Sequence, residues 1–587
     1  MRVFFVFAIA GALLLYSSGL WAPYHLDDGN TLNIAKTFDW STNRVLGFAT
    51  FWLNEQVALA FGAMFPWSEA FYQRLGNVFI HVLAATALFW LAKELTGRGL
   101  VAAVAGALFL VHPIQTQAVT YITQRFESQA AMFMLLSAAA YVRFRRTGGR
   151  RWFIAMLILG AAGGLTKQTA FVLPIWIVFI ESVFFAGGAK LRKRVLYVSA
   201  IGLVLLFPVW KSLPTVFDSP TLKWIAPDQY WISQGPILAR YFQLSTWPER
   251  QFLFYDFEPV RVFSWPVAAQ WALVLIVLAL GLYSLRRWPL IGFGIVSFFV
   301  LLLPIIILPV PDVINEHRLY PAFAGIALAA AGVYQAINRR SVLVVVGALV
   351  IAFGFKTFMR NAEWNDQFAF LEANRAAFPR DPGILSRLAA YYFQSGYVNK
   401  SLELNLEARR YEDRYNAYYR QLGHLLTSIN LAAIYQAKGN LQAAKTEALR
   451  AVAANPVEPM AWQTLGQIQF QLGDYERAQQ SFRRLVTLRP DSESLRSFQL
   501  TATRLGNTSL AAAIGKVLNV EEQLERSEEK PPFTIPAKYQ TFVIFALTLT
   551  LLLGLASGLW TVWTACRTLL RQTAANSSPI NEVRGKS

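Results

Sequence analysis

Apolar runs long enough to cross a bilayer alternate along this chain with short clusters of Lys and Arg. Charged residues make up only 15% of the 587 residues, whereas soluble domains carry about 25%. The runs are therefore too many and too long to serve as the core of a soluble protein. The net charge of +19 is concentrated in the clusters between the runs, as in the cytoplasmic loops of membrane proteins. The basic charge thus indicates topology, and no nucleic-acid partner is expected.

Length and hydropathy predict about twelve membrane-spanning helices. The predicted spans are residues 3–21, 74–95, 99–112, 128–146, 152–166, 170–187, 195–211, 267–285, 289–309, 321–337, 341–358 and 542–563. With the N-terminus inside, the basic clusters fall inside and residues 359–538 fall outside. No small-residue cleavage site follows the first run, so we expect it to remain as a helix. The single Cys566 excludes a disulfide within these residues.

Residues 359–530 are too polar to span a membrane, and their pattern predicts paired helices. Two units match a tetratricopeptide (TPR) consensus with a 34-residue period: Trp462, Leu465, Gly466, Gly473, Tyr475, Ala478, Phe482 and Pro490, preceded by Leu431, Gly439, Leu441, Ala444 and Pro456. A third unit is indicated around Gly396 and Leu402. Stacked units of this kind form a concave face that holds a peptide or protein segment. A purely structural cap is the alternative.

These boundaries divide the chain into three predicted regions. Residues 1–358 form a transmembrane domain, and residues 359–530 form an outer TPR domain. Residues 531–587 form a linker, a last transmembrane helix and an inner tail. The stretch 521–530 is dense in charge and is followed by Pro531-Pro532, as expected for a linker.

Two adjacent carboxylates, Asp27 and Asp28, directly follow the first span. Charged groups near hydrocarbon are costly to keep. Chemistry at the membrane surface explains such a pair, and the start of an ordinary polar loop is the alternative.

Three cations lie at the outer ends of predicted spans: Arg125, Lys167 and Arg318. A charged residue facing lipid costs about 2.5–3.5 kcal/mol on insertion scales. We therefore expect Lys167, between two short spans, to face a protein-lined cavity. Convergence of the three would create an anion site, and a phosphate suits guanidinium forks and a compact ammonium.

The outer segment 224–265 is rich in Trp, Tyr and Phe and includes Asp256 as a candidate acceptor group. Stacking of these rings on a sugar or a polyprenyl chain is one interpretation. An interfacial helix with an aromatic belt explains them without any ligand.

Taken together, these features resemble one family. They are the acidic pair, Arg44-Val45-Leu46, Asn77 with His81, the loop from His112-Pro113 to Gln124-Arg125, the Lys167 turn, and Glu316-His317-Arg318-Leu319-Tyr320. In this order and with a TPR tail, they resemble the transmembrane-and-TPR O-mannosyltransferases of the GT-C glycosyltransferase superfamily and their bacterial relatives. The resemblance covers nearly the whole chain. It implies an all-α, polytopic membrane helical bundle of GT-C type with an extracytoplasmic TPR domain and a C-terminal transmembrane helix.

The resemblance also implies an activity, the transfer of a sugar from a polyprenyl-phosphate carrier to a hydroxyl of a protein acceptor. An acid in the first outer loop is catalytic in GT-C enzymes, and that role falls on Asp27 or Asp28. A positioned carboxylate accepts the proton that the attacking hydroxyl loses. Arg125, Lys167 and Arg318 are the candidates for binding the donor phosphate. Supporting roles fall on Arg44, His112, Gln124, Glu316, His317 and Tyr320.

The expected partners are the polyprenyl-phosphate-linked sugar, a protein acceptor held by the TPR groove, and the lipid bilayer. No metal site formed by protein side chains is predicted. The sequence leaves open whether a divalent cation serves as a cofactor. The expected location is the bacterial inner membrane, with the TPR domain in the periplasm.

Two other functions fit parts of the pattern. An oligosaccharide ligase or polymerase of the O-antigen ligase kind also has many spans, but it relies on Arg and His in a large outer loop rather than on an acidic pair after the first span. A non-enzymatic TPR assembly factor needs far fewer spans than this chain has.

Overall fold

A computed structural model describes residues 1–528, except 37–41, 63, 66, 186–224, 254, 256, 309, 311–312 and 415–416. The predicted spans 195–211 and 542–563, the region 531–587 and Asp256 lie outside the described residues. Every regular element within them is helical, which confirms the all-α prediction.

Fourteen helices precede the repeat region in the described part of the chain. They are α1 (Arg2–Tyr16), α2 (Asp28–Lys36), α3 (Val45–Phe61), α4 (Glu69–Thr96), α5 (Gly99–Val111), α6 (Thr116–Thr120), α7 (Arg125–Thr147), α8 (Arg150–Gly164), α9 (Leu173–Phe184), α10 (Pro227–Thr246), α11 (Trp265–Arg287), α12 (Pro289–Ile307), α13 (Leu319–Ile337) and α14 (Arg340–Glu363). Short 3₁₀ turns at Ile122–Gln124 and Glu316–Arg318 lead into α7 and α13.

Several of these helices can cross a bilayer. Among the described residues, five are both long and apolar enough: α4, α11, α12, α14 and Glu316–Ile337. A sixth candidate is α5 joined to Pro113–Thr120 by a bend of 53°. Helix α1 is apolar but shorter, and so is α3, which the sequence analysis left inside an outer loop. The chain is a multi-pass membrane protein.

Helix α4 forms the centre of the bundle and packs against α1, α5 and α7. Its buried face carries small side chains, including Ala84, Ala85 and Ala92, and these meet Ala105 of α5 within one apolar core. Small residues let membrane helices approach closely, and van der Waals packing then holds them together.

The two ends of α4 differ in charge. At its start, Glu69 accepts a hydrogen bond from the Tyr24 hydroxyl at 3.1 Å. At its other end, Glu94 pairs with Arg143 at 3.0 Å, and Arg146 donates to the carbonyl of Leu95. The basic cluster 143–151 therefore lies at the opposite end of α4 from the loop that carries the acidic pair.

The repeat region consists of one helix followed by helix pairs. Its helices are α15 (Gln367–Ala377), α16 (Pro382–Gln394), α17 (Val398–Tyr411), α18 (Ala417–Ala437), α19 (Leu441–Ala454), α20 (Pro459–Gln471), α21 (Tyr475–Leu488), α22 (Ser492–Arg504) and α23 (Thr508–Glu528). Helix α14 ends at Glu363, beyond the predicted boundary at 358, so the first helix of this region is α15.

A glycine with positive φ makes the turn inside each pair. Gly396, Gly439, Gly473 and Gly506 have φ of 84°, 77°, 77° and 70°, a left-handed conformation that glycine adopts at little cost. Residues 382–528 thus hold four helix pairs, one more than predicted. The first two glycines are the most widely spaced because an insertion that includes the 3₁₀ turn Glu412–Arg414 separates them.

Candidate functional site

A cavity of about 660 Å³ lies where the outer loops of the membrane part meet the first repeat helices. Its volume is within the range of ligand pockets. The membrane part lines it with Asp27, Gln124, Asn315 and His317, the 253–257 loop with Leu253, Tyr255 and Phe257, and the repeat region with Asp381, Arg387 and Leu426 among others. The structure therefore brings Asp27, Gln124 and His317 of the predicted site together.

The two adjacent carboxylates have different surroundings. Asp27 is exposed and lines the cavity. Asp28 is fully buried at the start of α2, where it accepts hydrogen bonds from the backbone N–H of His25 (3.0 Å) and Thr123 (2.9 Å) and from the Thr123 hydroxyl (3.0 Å). Burial raises the pKa of Asp28 to about 6, against the opposing effect of these hydrogen bonds. Asp28 thus fastens the first loop to the 122–124 turn, and Asp27 is the carboxylate that can touch a ligand.

Two buried residues that the sequence analysis missed hold this loop in place. Arg74 of α4 donates to the carbonyl of Thr120 at 2.9 Å and to the carbonyls of Ala22 and Pro23. The His25 ring lies 2.9 Å from the carbonyl of Trp364, just after α14. The available signal for Arg74 was a charge at the first residue of the predicted span 74–95.

A group of charges interacts electrostatically with two residues that line the cavity, Asp27 and His317. Lys167 pairs with Glu127 at 2.6 Å, and the two side chains are 15% and 1% exposed. Arg44 lies close enough to interact electrostatically with Glu127 and Asp27, and Arg318 does so with Lys167. Arg44 and Lys167 interact with the buried Glu127 carboxylate, and Arg318 adds a third positive charge near Lys167. The local excess of positive charge favours an anionic ligand. We call Arg44, Lys167, Arg318 and Glu127 the cation cluster.

Arg125 does not belong to the cation cluster. Its guanidinium is fully buried and makes four hydrogen bonds, to the carbonyls of Thr50 and Gln73 and to the side chains of Asn77 and Gln73. It also lies 4.2 Å from the ring of Phe51. Its predicted role at the phosphate is therefore replaced by a structural one, because these groups engage the guanidinium away from the cavity.

This placement makes a prediction for stability. We expect Arg125→Met to lower the yield of folded protein and its thermal stability, since each buried acceptor left without a donor costs about 1–3 kcal/mol. Thermal unfolding in detergent measures the change. Arg261→Met is the matched control, because the side chains of Arg261 and its partner Glu258 are 66% and 46% exposed and such pairs contribute about 0–1 kcal/mol. Equal stability of the two variants would contradict the structural role of Arg125.

Three of the predicted supporting residues are buried in the protein rather than open to the cavity. His112 packs against Phe323 and Phe353, with ring centroids 4.1 and 4.5 Å apart. The Tyr320 hydroxyl lies 2.8 Å from the ring of His81. Glu316 accepts hydrogen bonds from Gln251, Phe252 and Tyr255. Glu316 therefore orients Tyr255, which lines the cavity, whereas His112 and Tyr320 shape the surrounding fold.

His317 lies at the cavity wall beside the cation cluster. Its backbone N–H donates to the Gln117 side chain at 2.6 Å, and its ring interacts electrostatically with Lys167 and Arg318. Within the part of the chain that the structure describes, its Nδ1 is buried and has no hydrogen-bond partner. A ligand in the cavity can supply one. No group of three or more His, Cys, Asp or Glu side chains suited to a metal ion occurs among these residues.

The aromatic segment contains helix α10 (Pro227–Thr246), and both interpretations of the segment stay predictions. Tyr230 and Tyr241 on this helix are buried, and the Tyr241 hydroxyl donates to the carbonyl of Asn315 at 3.0 Å. These rings therefore support the loop that carries Asn315, which lines the cavity.

The fold and the cavity define a multi-pass helical membrane protein whose outer loops and helical repeats enclose a site beside a cation cluster. Comparison with known proteins agrees with this class. Residues 60–215 match the family described as Dolichyl-phosphate-mannose-protein mannosyltransferase. Residues 461–492 match a tetratricopeptide repeat, which confirms the predicted unit at 462–490.

The curated relatives that the chain matches are named as O-mannosyl-transferases. Protein O-mannosyl-transferase TMTC2 of Mus musculus is 35% identical over 132 residues, 21% of this chain and 15% of the relative. Protein O-mannosyl-transferase tmtc2 of Xenopus laevis is 32% identical over 199 residues, which are 29% of this chain and 23% of the relative. Protein O-mannosyl-transferase TMTC3 of Mus musculus is 23% identical over 313 residues, which are 45% of this chain and 34% of the relative. The matches thus span at most about a third of the length of these relatives.

These matches confirm the resemblance found in the sequence. Residues 60–215 are similar to the dolichyl-phosphate-mannose-protein mannosyltransferase family and residues 461–492 to a TPR, and parts of the chain are similar to the TMTC O-mannosyl-transferases.

Proposed function

We propose that this protein is an integral membrane glycosyltransferase that moves a sugar from a polyprenyl-phosphate carrier to a hydroxyl of a protein acceptor. The observation that carries the proposal is the electrostatic interaction of Asp27, a carboxylate that lines the cavity, with Arg44 of the cation cluster. A proton acceptor and an anion site side by side are what transfer from a phosphate leaving group requires.

The reaction assigns one role to each group. The acceptor oxygen attacks the anomeric carbon and forms the new glycosidic bond while the bond from that carbon to the phosphate oxygen breaks. Asp27 takes the proton of the acceptor hydroxyl. The departing polyprenyl phosphate carries the electron pair of the broken bond, and Arg44, Lys167 and Arg318 stabilise its charge.

Neighbouring residues support these roles. His317 and Gln124 line the cavity and present polar groups to a sugar. Asp28 fixes the loop of Asp27 through Thr123, so we assign it to positioning. Arg44 interacts with both Asp27 and Glu127 and thereby links the proton acceptor to the phosphate site.

The relatives' names make mannose the first sugar to test. For the location, we propose a bacterial inner membrane with the cavity and the repeats on the periplasmic face. The support is the basic cluster 143–151, which lies at the opposite end of α4 from the acidic pair, because basic clusters mark the cytoplasmic side. A non-enzymatic assembly factor would leave the buried Lys167–Glu127 pair beside an open carboxylate without a purpose.

A glycoproteomic comparison tests the proposal. We expect envelope proteins to lose specific O-linked glycopeptides when the gene is deleted. Reintroduction of the wild-type gene should restore them, and Asp27→Asn expressed at the same level should not. An unchanged set of glycopeptides in the deletion strain would contradict the proposed function.

A further inference from the structure

The repeat region supplies the outer wall of the cavity. The start of α16, with residues 381–383 and Arg387, and residues 422–426 of α18 face the same cavity as Asp27 and His317. The sequence analysis placed the repeats beside the loops as a separate groove for the acceptor. The cavity lining instead makes the first two helix pairs part of the enclosure around the proposed reaction centre.

Hydrogen bonds between α16 and α18 hold this wall together. The Ser386 hydroxyl lies 3.1 Å from that of Thr427, and Asn430 donates to the carbonyl of Ser386 at 2.9 Å. Asp381 caps α16 by accepting from the backbone N–H of Ile384 at 2.8 Å. The two helices therefore present a preformed surface to the cavity.

A buried ionic network fixes the insertion that precedes α18. Glu412 is 1% exposed and pairs with His424 at 2.9 Å and with Arg450 at 3.5 Å. These contacts join the 3₁₀ turn after α17 to α18 and α19 and set the position of Leu422 and Leu426. Leu422 and Leu426 thus belong to the helix that follows the insertion, where the spacing of the repeats is irregular.

The wall is also tied to the loops of the membrane part. Asn374 of α15 accepts a hydrogen bond from the backbone N–H of Leu253 at 3.2 Å, and Trp364 packs with Phe370 against the His25 ring. The loop that carries Asp27 and the base of the repeats are therefore one packed unit, and residues of both regions line the cavity.

The chemistry of the wall suits a polypeptide. Leu422 and Leu426 offer apolar contact, and Arg387 and Asp381 bring polar groups to the same surface. Gly423 lines the cavity and adds no side chain there. Members of the cation cluster interact electrostatically with Asp27 and His317. We therefore assign the donor to that part of the cavity and the repeat residues to the acceptor.

We propose that the acceptor segment carrying the reactive hydroxyl lies in this cavity against residues 381–387 and 422–426. The first two repeat pairs then determine which hydroxyl reaches Asp27. This inference rests on the proposed function for the identity of the reaction, but it concerns where the acceptor binds.

A larger side chain in the cavity wall tests the inference. Leu426→Trp narrows the acceptor side, and Ala437→Trp, at the exposed end of the same helix, is the matched control. Each variant replaces the wild-type protein in cells. We expect Leu426→Trp to reduce the occupancy of the glycopeptides several-fold or to shift the modified sites. Hydrolysis of polyprenyl-phosphate-mannose by the purified variant in the absence of acceptor should equal that of the wild type. Ala437→Trp should change neither.

Two results would overturn the inference. One is wild-type occupancy and sites in the Leu426→Trp strain. The other is a folded Leu426→Trp protein that has lost donor hydrolysis together with transfer, which would assign the wall to the donor. Failure of the proposed function is distinct, since the deletion and Asp27→Asn would then leave the glycopeptides unchanged.

A binding measurement that needs no catalysis covers the case in which Leu426→Trp does not fold. A photo-reactive phenylalanine at position 426 in the Asp27→Asn variant should trap the proteins that lose glycopeptides in the deletion strain. The same probe at position 437 should not trap them. If the probe at 426 trapped none of those proteins, or both positions trapped them equally, the acceptor would not lie against this wall.

Discussion

Replacement of Asp27 by Asn is expected to lower sugar transfer by about 10²–10⁴-fold, the typical loss when a general base is removed. The side chain is exposed at the cavity, so the amide should leave expression and membrane insertion unchanged. Occupancy of glycopeptides in cells that express equal amounts of each variant measures the effect.

Asp28→Asn provides the contrast. Asp28 is buried and accepts three hydrogen bonds, and an amide nitrogen facing one of those donors leaves a buried group unsatisfied, at a cost of about 1–3 kcal/mol. We expect reduced thermal stability and partial activity per folded molecule. Full glycosylation in both variants would refute the catalytic assignment of this acidic pair. Complete loss of sugar transfer in a stably folded Asp28→Asn protein, but not in Asp27→Asn, would make Asp28 the proton acceptor and Asp27 the positioning residue.

The second large effect is expected at Lys167. Lys167→Met leaves the Glu127 carboxylate, which is 1% exposed, without its ion-pair partner, and removing one member of a buried pair costs about 3–5 kcal/mol. It also removes a positive charge from the proposed phosphate site. We therefore expect both a lower folded yield and weaker binding of polyprenyl phosphate.

The double variant Lys167→Met/Glu127→Gln separates these two effects. Removing both charges should restore folding in large part, because no unpaired buried charge remains, whereas affinity for polyprenyl phosphate should stay low. Arg261→Met is a control, since this exposed residue pairs only with nearby Glu258 on the surface. Binding of polyprenyl phosphate by the double variant with wild-type affinity would exclude the cation cluster as the donor site.

The elements that sequence predicted best are those with a local signal. Apolar length predicted about twelve spans, and among the described residues five helices, or six with the bent pair, are long and apolar enough. The spacing of Gly439 and Gly473 predicted helix pairs whose turns have positive φ at those positions. The fourth pair was missed although Gly506 continues the series, because its helices lack the aromatic residues of the consensus. Helix α3 was missed because it lies in a segment that also carries polar residues and the acidic pair.

The site was predictable only in part because burial and pairing arise from distant segments. Arg125 and Arg318 look alike in the sequence, each in a polar stretch before a span. The structure separates them through Thr50 and Gln73, which bind the Arg125 guanidinium from two other helices. The division of Asp27 and Asp28 into an exposed and a buried carboxylate likewise depends on Thr123, remote in sequence.

Transfer from a defined donor tests the central claim most directly. The purified protein in lipid nanodiscs would receive polyprenyl-phosphate-mannose with a radiolabelled sugar, together with envelope protein from the deletion strain. The proposed function predicts that the wild-type protein moves label into the protein fraction and that Asp27→Asn, folded to the same extent, leaves the label on the lipid. Label that stays on the lipid with the wild-type protein, or equal transfer by both proteins, would contradict it.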